Sequence, residues 1–158
     1  MIKLYKPKLD DLWFRKKMLL DHDTMSYNDK WGGIIPFPKD EWKDWYDYWI
    51  INNEGLRFYR YLLNDDNEFV GEIAYHYDKE QKAYMSNVII YSKYRNRGYG
   101  KEGLIQLIDS AKENSIDVLY DDIAVDNYSG QRLFMKCGFI KDYETSDYIM
   151  LKKELNKW

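Results

Sequence analysis

Leu9, Leu12, Trp13, Lys16 and Leu20 recur at helical spacing and predict a helix over residues 8–21 after a short strand at 2–6. Residues 22–38 follow as a long connection, broken by Gly32-Gly33 and by Pro36 and Pro38. A second helix is expected after Pro38, with Asp40 as its cap and Trp42, Trp45, Tyr46 and Trp49 along it. Three stretches, about 57–63, 68–77 and 82–91, read as strands. Short polar turns at Asn64-Asp65-Asp66-Asn67 and Asp78-Lys79-Glu80 separate them, which suggests antiparallel hairpins. Leu104, Ile105, Leu107, Ile108 and Ala111 then mark one face of a helix over 100–114. A strand at 117–124, a short helix at 128–137 and strands at 139–144 and 147–153 complete the pattern.

Between the third strand and the long helix stands Arg95-Asn96-Arg97-Gly98-Tyr99-Gly100. A glycine loop leading from a strand into a helix is a geometry for holding phosphates. Gly98 and Gly100 lack Cβ, so the backbone can adopt unusual dihedrals and approach a ligand closely. The N–H groups of the loop and the helix N-terminus then face an anion with partial positive charge. Arg95 and Arg97 add full charges, or are solvated surface residues. No Gly-Lys-Ser/Thr ending is present, and the dinucleotide fingerprint lacks its third glycine.

The loop fits Arg/Gln-x-x-Gly-x-Gly/Ala after an apolar strand, here Val88-Ile89-Ile90-Tyr91. About one helix and one strand later, Asn127 is followed by Leu133-Phe134-Met135-Lys136-Cys137-Gly138-Phe139. Together the two segments resemble the signatures of the GNAT superfamily of N-acyltransferases, over roughly residues 2–153. The resemblance implies an α/β (α+β) GNAT fold: a central mixed, mostly antiparallel sheet of about seven strands flanked by about four helices. The predicted element order agrees with it.

Length and charge narrow the setting. With 158 residues the chain is expected to form one domain, residues 1–158, with a sizeable core. A net charge of -3 gives no reason to expect nucleic acid or an anionic membrane as partner. It is compatible with a cationic substrate. Cys137 is the only cysteine, which excludes an intramolecular disulfide, and it reads as a small buried residue. No signal peptide or long apolar run is evident, so a cytoplasmic location is expected. No metal is expected.

What the resemblance implies for chemistry can be assigned residue by residue. Acetyl-CoA is the expected cofactor, with its pyrophosphate on the backbone of Arg95, Asn96, Arg97, Gly98, Tyr99 and Gly100. Its pantetheine arm is expected against main-chain groups of Val88, Ile89 and Ile90, on a strand that carries a bulge and splays from the next one. Asn127 is expected beside the arm, or as a plain helix cap. An acceptor ammonium, with a pKa near ~10.4, must lose a proton before it attacks a thioester. Relatives place a carboxylate five residues before the matching Asn, where Asp122 stands. Strand alternation sends Asp121 to the opposite face, so only one of the two is expected in the cleft. His76 and Glu72 are the other catalytic candidates; His has the suitable pKa. The family often has Tyr where Phe134 stands, as proton donor to the thiolate, and Phe134 cannot donate.

The first two helices and their connection are implied as the acceptor wall. It holds Tyr27, Asn28 and Trp31 with Asp21, Asp23 and Asp29, aromatic faces and carboxylates that suit an ammonium. Packing is the competing role for Tyr27 and Trp31. The expected activity is acetyl transfer to a primary amine of a small molecule or an exposed protein amine. Aminoglycoside-type and polyamine-type acceptors are both open. A non-catalytic acyl-CoA-binding module is the alternative from another class, and a generic nucleotide binder a third. A homodimer through the final strands is also compatible with the sequence.

Overall fold

The computed structural model describes residues 1–156, so the last two residues of the expected domain lie outside it. Its strands are β1 (Lys3–Tyr5), β2 (Arg57–Leu63), β3 (Phe69–Asp78), β4 (Ala83–Ile90), β5 (Val118–Ala124), β6 (Ile140–Glu144) and β7 (Tyr148–Glu154). The α-helices are α1 (Leu12–Leu19), α2 (Trp42–Tyr46), α3 (Tyr99–Glu113) and α4 (Tyr128–Lys136). The strands form one mixed sheet in the order β1-β2-β3-β4-β5-β7-β6.

Every neighbouring pair is antiparallel except β4 and β5. That parallel contact consists of two pairs, Tyr84 with Leu119 and Met85 with Tyr120. Beyond them the strands part. The β3–β4 register runs without a shift from Asp78↔Ala83 to Gly71↔Ile90, so the bulge expected on β4 is absent from this ladder. The gap arises instead because β5 leaves β4 after two residues.

Alternation divides the core. Ile73 of β3 and Leu119 of β5 join Leu104, Leu107 and Ala111 of α3 on one side of the sheet. Tyr59 and Tyr61 of β2 join Leu12, Phe14, Met18 and Trp42 on the other. The expected face of α3 is therefore buried, except Ile105, which is exposed.

Two elements correct the sequence reading. In α1 the buried set is Leu12, Phe14, Met18 and Leu19, while Leu9, Trp13 and Leu20 are exposed. A 3-10 turn, Leu9–Asp11, precedes α1, and its tighter winding changes the phase of every following side chain. Asp40 does not cap the second helix either: it lies inside a 3-10 turn, Lys39–Glu41, and α2 starts at Trp42 without a side-chain cap. α2 continues as a π-helical turn, Asp47–Ile51.

The long connection is more ordered than its Gly and Pro content suggests. Thr24–Trp31 winds as a 3-10 helix, ended by Gly32 at a φ of 110°. Asp21 anchors it. Its Oδ2 accepts hydrogen bonds from the Thr24 N–H at 3.0 Å, the Thr24 hydroxyl at 2.5 Å and the Ser92 hydroxyl at 2.6 Å. These bonds hold the Asp21 carboxyl below the usual carboxylate range, with the Ser92 bond the largest cause.

Candidate active site

The parting of β4 and β5 opens onto a cavity of about 1170 Å³. Its two ends differ in chemistry.

One end is the loop before α3. Gly98 sits at a φ of 82°, and Asn96 at 63°, the left-handed conformations the turn requires. Gly100 has ordinary helical backbone; a Cβ there would meet Leu133 Cδ2 at 3.4 Å and Ile90 Cγ1 at 3.7 Å. Its smallness thus serves the packing of α3 against α4 and β4. The first hydrogen bond of α3 runs from the Glu102 N–H to the Gly98 carbonyl. The N–H groups of Tyr99, Gly100 and Lys101 therefore have no acceptor within the helix, and all three residues line the cavity. With the Lys101 ammonium beside them, these donors fit a diphosphate.

The two arginines of the loop behave differently. Arg95 lines the cavity, and its guanidinium donates to the Thr24 carbonyl at 2.9 Å. Arg97 stacks over the Tyr94 ring at 5.7 Å and is not part of the cavity wall.

Along the gap, Val88, Ile89 and Ile90 line the cavity. Val88 and Ile90 pack toward the α3 core, and Ile89 is buried in the other. Asn127 caps α4 by accepting the Gly130 N–H at 3.1 Å and also lines the cavity, so both roles considered for it meet at one residue. Phe134 lines the same wall and packs edge-on against Phe139 at 5.0 Å.

The other end is aromatic and acidic. Tyr27, Asn28, Asp29 and Trp31 line it from the 3-10 helix, with Trp45 and Trp49 beyond. Trp31 is 53% exposed, so packing does not consume it. Asn28 uses its amide to donate to the Gly33 carbonyl at 2.8 Å and shapes the turn. Asp21 faces Ser92 and Thr24, not the cavity.

Glu72 lies in the floor at 1% exposure. Its Oε1 accepts from Arg15 at 2.7 Å and from the Tyr59 hydroxyl at 2.7 Å, and its Oε2 accepts from Asn87 at 3.0 Å. The Arg15 guanidinium also stacks on Trp45 at 4.6 Å. Arg15 was not singled out by the sequence, where it is one basic residue among several on a charged helix.

His76 is half-buried and meets Trp49 edge-on at 5.8 Å. Burial lowers its pKa, against the opposing pull of Asp78 and Asp122. Loss of hydration raises the pKa of Asp122. Its own backbone N–H and His76 lower it, and Asp78 adds to the rise. Asp121 also lines the cavity. The expectation that only one of these neighbours would reach the cleft is therefore corrected. Alternation does turn them to opposite faces, but the parted strands open both faces onto one space.

The geometry so far is a parted β4–β5 pair, a glycine loop at a helix N-terminus and an acidic aromatic chamber. The acetyltransferase (GNAT) family profile matches residues 17–139. The chain belongs to the acetyltransferase (GNAT) family. No curated protein matches it. Solved structures of similar fold include spermidine N-acetyltransferase from Vibrio cholerae, in complex with CoA and spermine. Identity with it is 17%, the TM-score 0.82, and 99% of this chain and 96% of that chain are covered. An N-acetyltransferase from Staphylococcus aureus has 16% identity, a TM-score of 0.76 and coverage of 99% of both chains. A Salmonella typhimurium protein solved with its cofactor acetyl-CoA has 16% identity and a TM-score of 0.73, with 100% of this chain and 96% of that chain covered. At these identities the likeness carries the fold. For this GNAT acetyltransferase the cofactor is acetyl-CoA, which supplies an activated acetyl group for transfer to nitrogen. Among the described residues no cluster of His, Cys, Asp and Glu is placed to hold a metal, and no helix is long and apolar enough to cross a membrane.

Proposed function

We propose that this enzyme acetylates a primary amine of a small, positively charged molecule, with Asp122 and His76 receiving the amine. The observation that carries this reading is the charge balance of the acceptor end. Arg15 is committed to Glu72, and among the described residues neither Asp78 nor Asp122 forms an ion pair. A cation entering the chamber meets carboxylates not already neutralised, between the faces of Tyr27, Trp31, Trp45 and Trp49. The polyamine acceptor of the Vibrio cholerae neighbour has this chemistry, and an aminoglycoside amine shares it.

Each residue then has a task. The N–H groups at the start of α3, with Lys101, hold the diphosphate. The free backbone edge of Val88, Ile89 and Ile90 holds the arm, and Asn127 orients it. Asp122, lifted above the usual carboxylate range by burial, takes the proton from the attacking ammonium, directly or through water. His76, kept neutral by burial, is placed to relay it. Glu72 fixes Arg15 and Tyr59, and so the floor of the chamber.

The test has two steps. Acetyl-CoA and CoA should each raise the melting temperature and ATP should not; a ligand at ~100 times its Kd adds about 2.7 kcal/mol. Thiol release is then followed against a panel of monoamines, diamines, polyamines and aminoglycosides. Faster turnover with the multiply charged amines is expected. Stabilisation by acetyl-CoA without turnover of any amine would leave an acyl-CoA-binding module instead.

A further inference from the structure

The hydroxyl of Ser86, on β4, stands at the point where β4 and β5 separate. Its Oγ is 2.8 Å from the carbonyl of Tyr120, the last β5 residue paired with β4, and 3.3 Å from Asp121 Oδ2. A hydroxyl has one hydrogen. The shorter contact, to the Tyr120 carbonyl, claims it. The oxygen of Ser86 is then left to accept, and the contact with Asp121 becomes a hydrogen bond when the Asp121 carboxyl carries a proton.

The surroundings point the same way. Burial pushes Asp121 well above the usual carboxylate range, and the charge of Asp122 adds to this. Ser86 would lower it only by giving Asp121 the hydrogen that Tyr120 already holds. From the 3-10 helix, the Tyr27 phenol is the titratable group that feels Asp121, itself set among Glu72 and Arg15. From the neighbouring strand, β7 sets Leu151 opposite Asp121. None of these groups supplies Asp121 with a neutralising cation.

Position gives the proton a use. Ser86 and Ile90 are four residues of extended strand apart, roughly 13 Å. Gly100 packs against Ile90, so a diphosphate at the start of α3 sends an extended pantetheine arm along this edge toward the vertex. At the position where the family often has a tyrosine, the wall holds Phe134, which has no proton to give.

We propose that Asp121 is the proton donor to the departing sulfur of coenzyme A. The amine nitrogen bonds to the acetyl carbon as the carbon–sulfur bond breaks and its electron pair moves to sulfur. Asp121 delivers its proton to that sulfur, giving the free thiol. Asp122 passes the first proton of the ammonium to solvent, then takes the second that nitrogen sheds as the amide forms and returns it to Asp121 through water, so one proton is released per turnover and no other reactant is consumed. Two adjacent carboxyls thus hold opposite roles, one protonated and one ionised, because their settings differ. This assignment rests on the amine-acetylating function proposed above.

Two readouts test it. The first needs no turnover: infrared difference spectra of the full-length protein at pH 7 should show the carbonyl stretch of a protonated carboxyl, lost in Asp121→Asn. Absence of the band, or its persistence in the variant, overturns the proposal. The second is kinetic. Asp121→Asn should lower kcat about 10–100-fold, remove the basic limb of its pH profile, and leave the melting shift with acetyl-CoA unchanged. Loss of the acidic limb, or full retention of kcat, overturns the donor role. If Asp121→Asn does not fold, the band is titrated in wild type and in Asp122→Asn. Without the neighbouring charge it should disappear at lower pH, and identical titrations overturn the proposal. An enzyme that shows the band but acetylates no amine in the panel would refute the function proposed above, not the protonation of Asp121.

Discussion

Arg95 and Thr24 lie 71 residues apart in sequence and are joined by a 2.9 Å hydrogen bond from guanidinium to carbonyl. Asp21, Thr24 and Ser92 complete a lattice between the 3-10 helix that walls the acceptor chamber and the segment that leads into the phosphate loop. The wall and the loop are therefore tied together by side-chain hydrogen bonds.

Arg95→Ala should separate them. The lost charged hydrogen bond is worth roughly 1.5 kcal/mol, about tenfold in an equilibrium constant. KM should rise by about that factor for acetyl-CoA and also for the amine. A rise for acetyl-CoA alone would show that Arg95 acts only through phosphate.

Glu72→Gln leaves the Arg15 guanidinium without its carboxylate in a nearly closed setting. Breaking such a pair from one side costs about 3–5 kcal/mol, a fall in Tm on the order of 10 °C. Thermal unfolding with and without acetyl-CoA measures it. The double replacement Arg15→Met, Glu72→Leu should cost less than the single change, since no charge is left stranded.

Asp122→Asn should reduce kcat about 100-fold with amine substrates while the melting shift with acetyl-CoA stays as in wild type. In wild type, activity should rise with pH through the elevated pKa of Asp122, so the acidic limb lies above the ordinary carboxylate range. A limb at the pKa of a free aspartate would assign the base elsewhere.

Asp21 governs the acid end of the stability curve. Its folded pKa lies below that of a free aspartate, about 3.9, so its bonds to Ser92 and Thr24 contribute fully above that pH. The contribution fades as pH falls through the lowered folded value. Asp21→Asn should flatten the dependence of Tm on pH below about pH 4. An unchanged slope would mean the tie carries no linkage.

Much of the fold was legible because it is local. Polar turns at Asn64–Asn67 and Asp78–Glu80 announce hairpins, and the helical face of Leu104, Leu107, Ile108 and Ala111 shows α3 directly. The turn of the glycine loop was legible for the same reason, since Gly98 takes its left-handed conformation within one turn of chain. The features that escaped are tertiary. Nothing around Arg15 tells that Glu72, 57 residues away, will claim it. Leu9 and Trp13 look like core until the 3-10 turn before α1 rotates them outward. Alternation separates Asp121 from Asp122 correctly, but only the parting of two strands joins both faces into one chamber.

That parting also has a mechanical meaning. Strands β1–β4 and β5–β7 are two slabs stitched by two residue pairs and the Ser86 hydroxyl, the thinnest seam in the sheet. In the proposed function the amide-bearing arm bridges backbone groups along Asn87–Ile90, and the bound cofactor then serves as a removable eighth strand. Amide hydrogen exchange along this edge should therefore slow on loading, and the empty enzyme should breathe where the loaded one reacts.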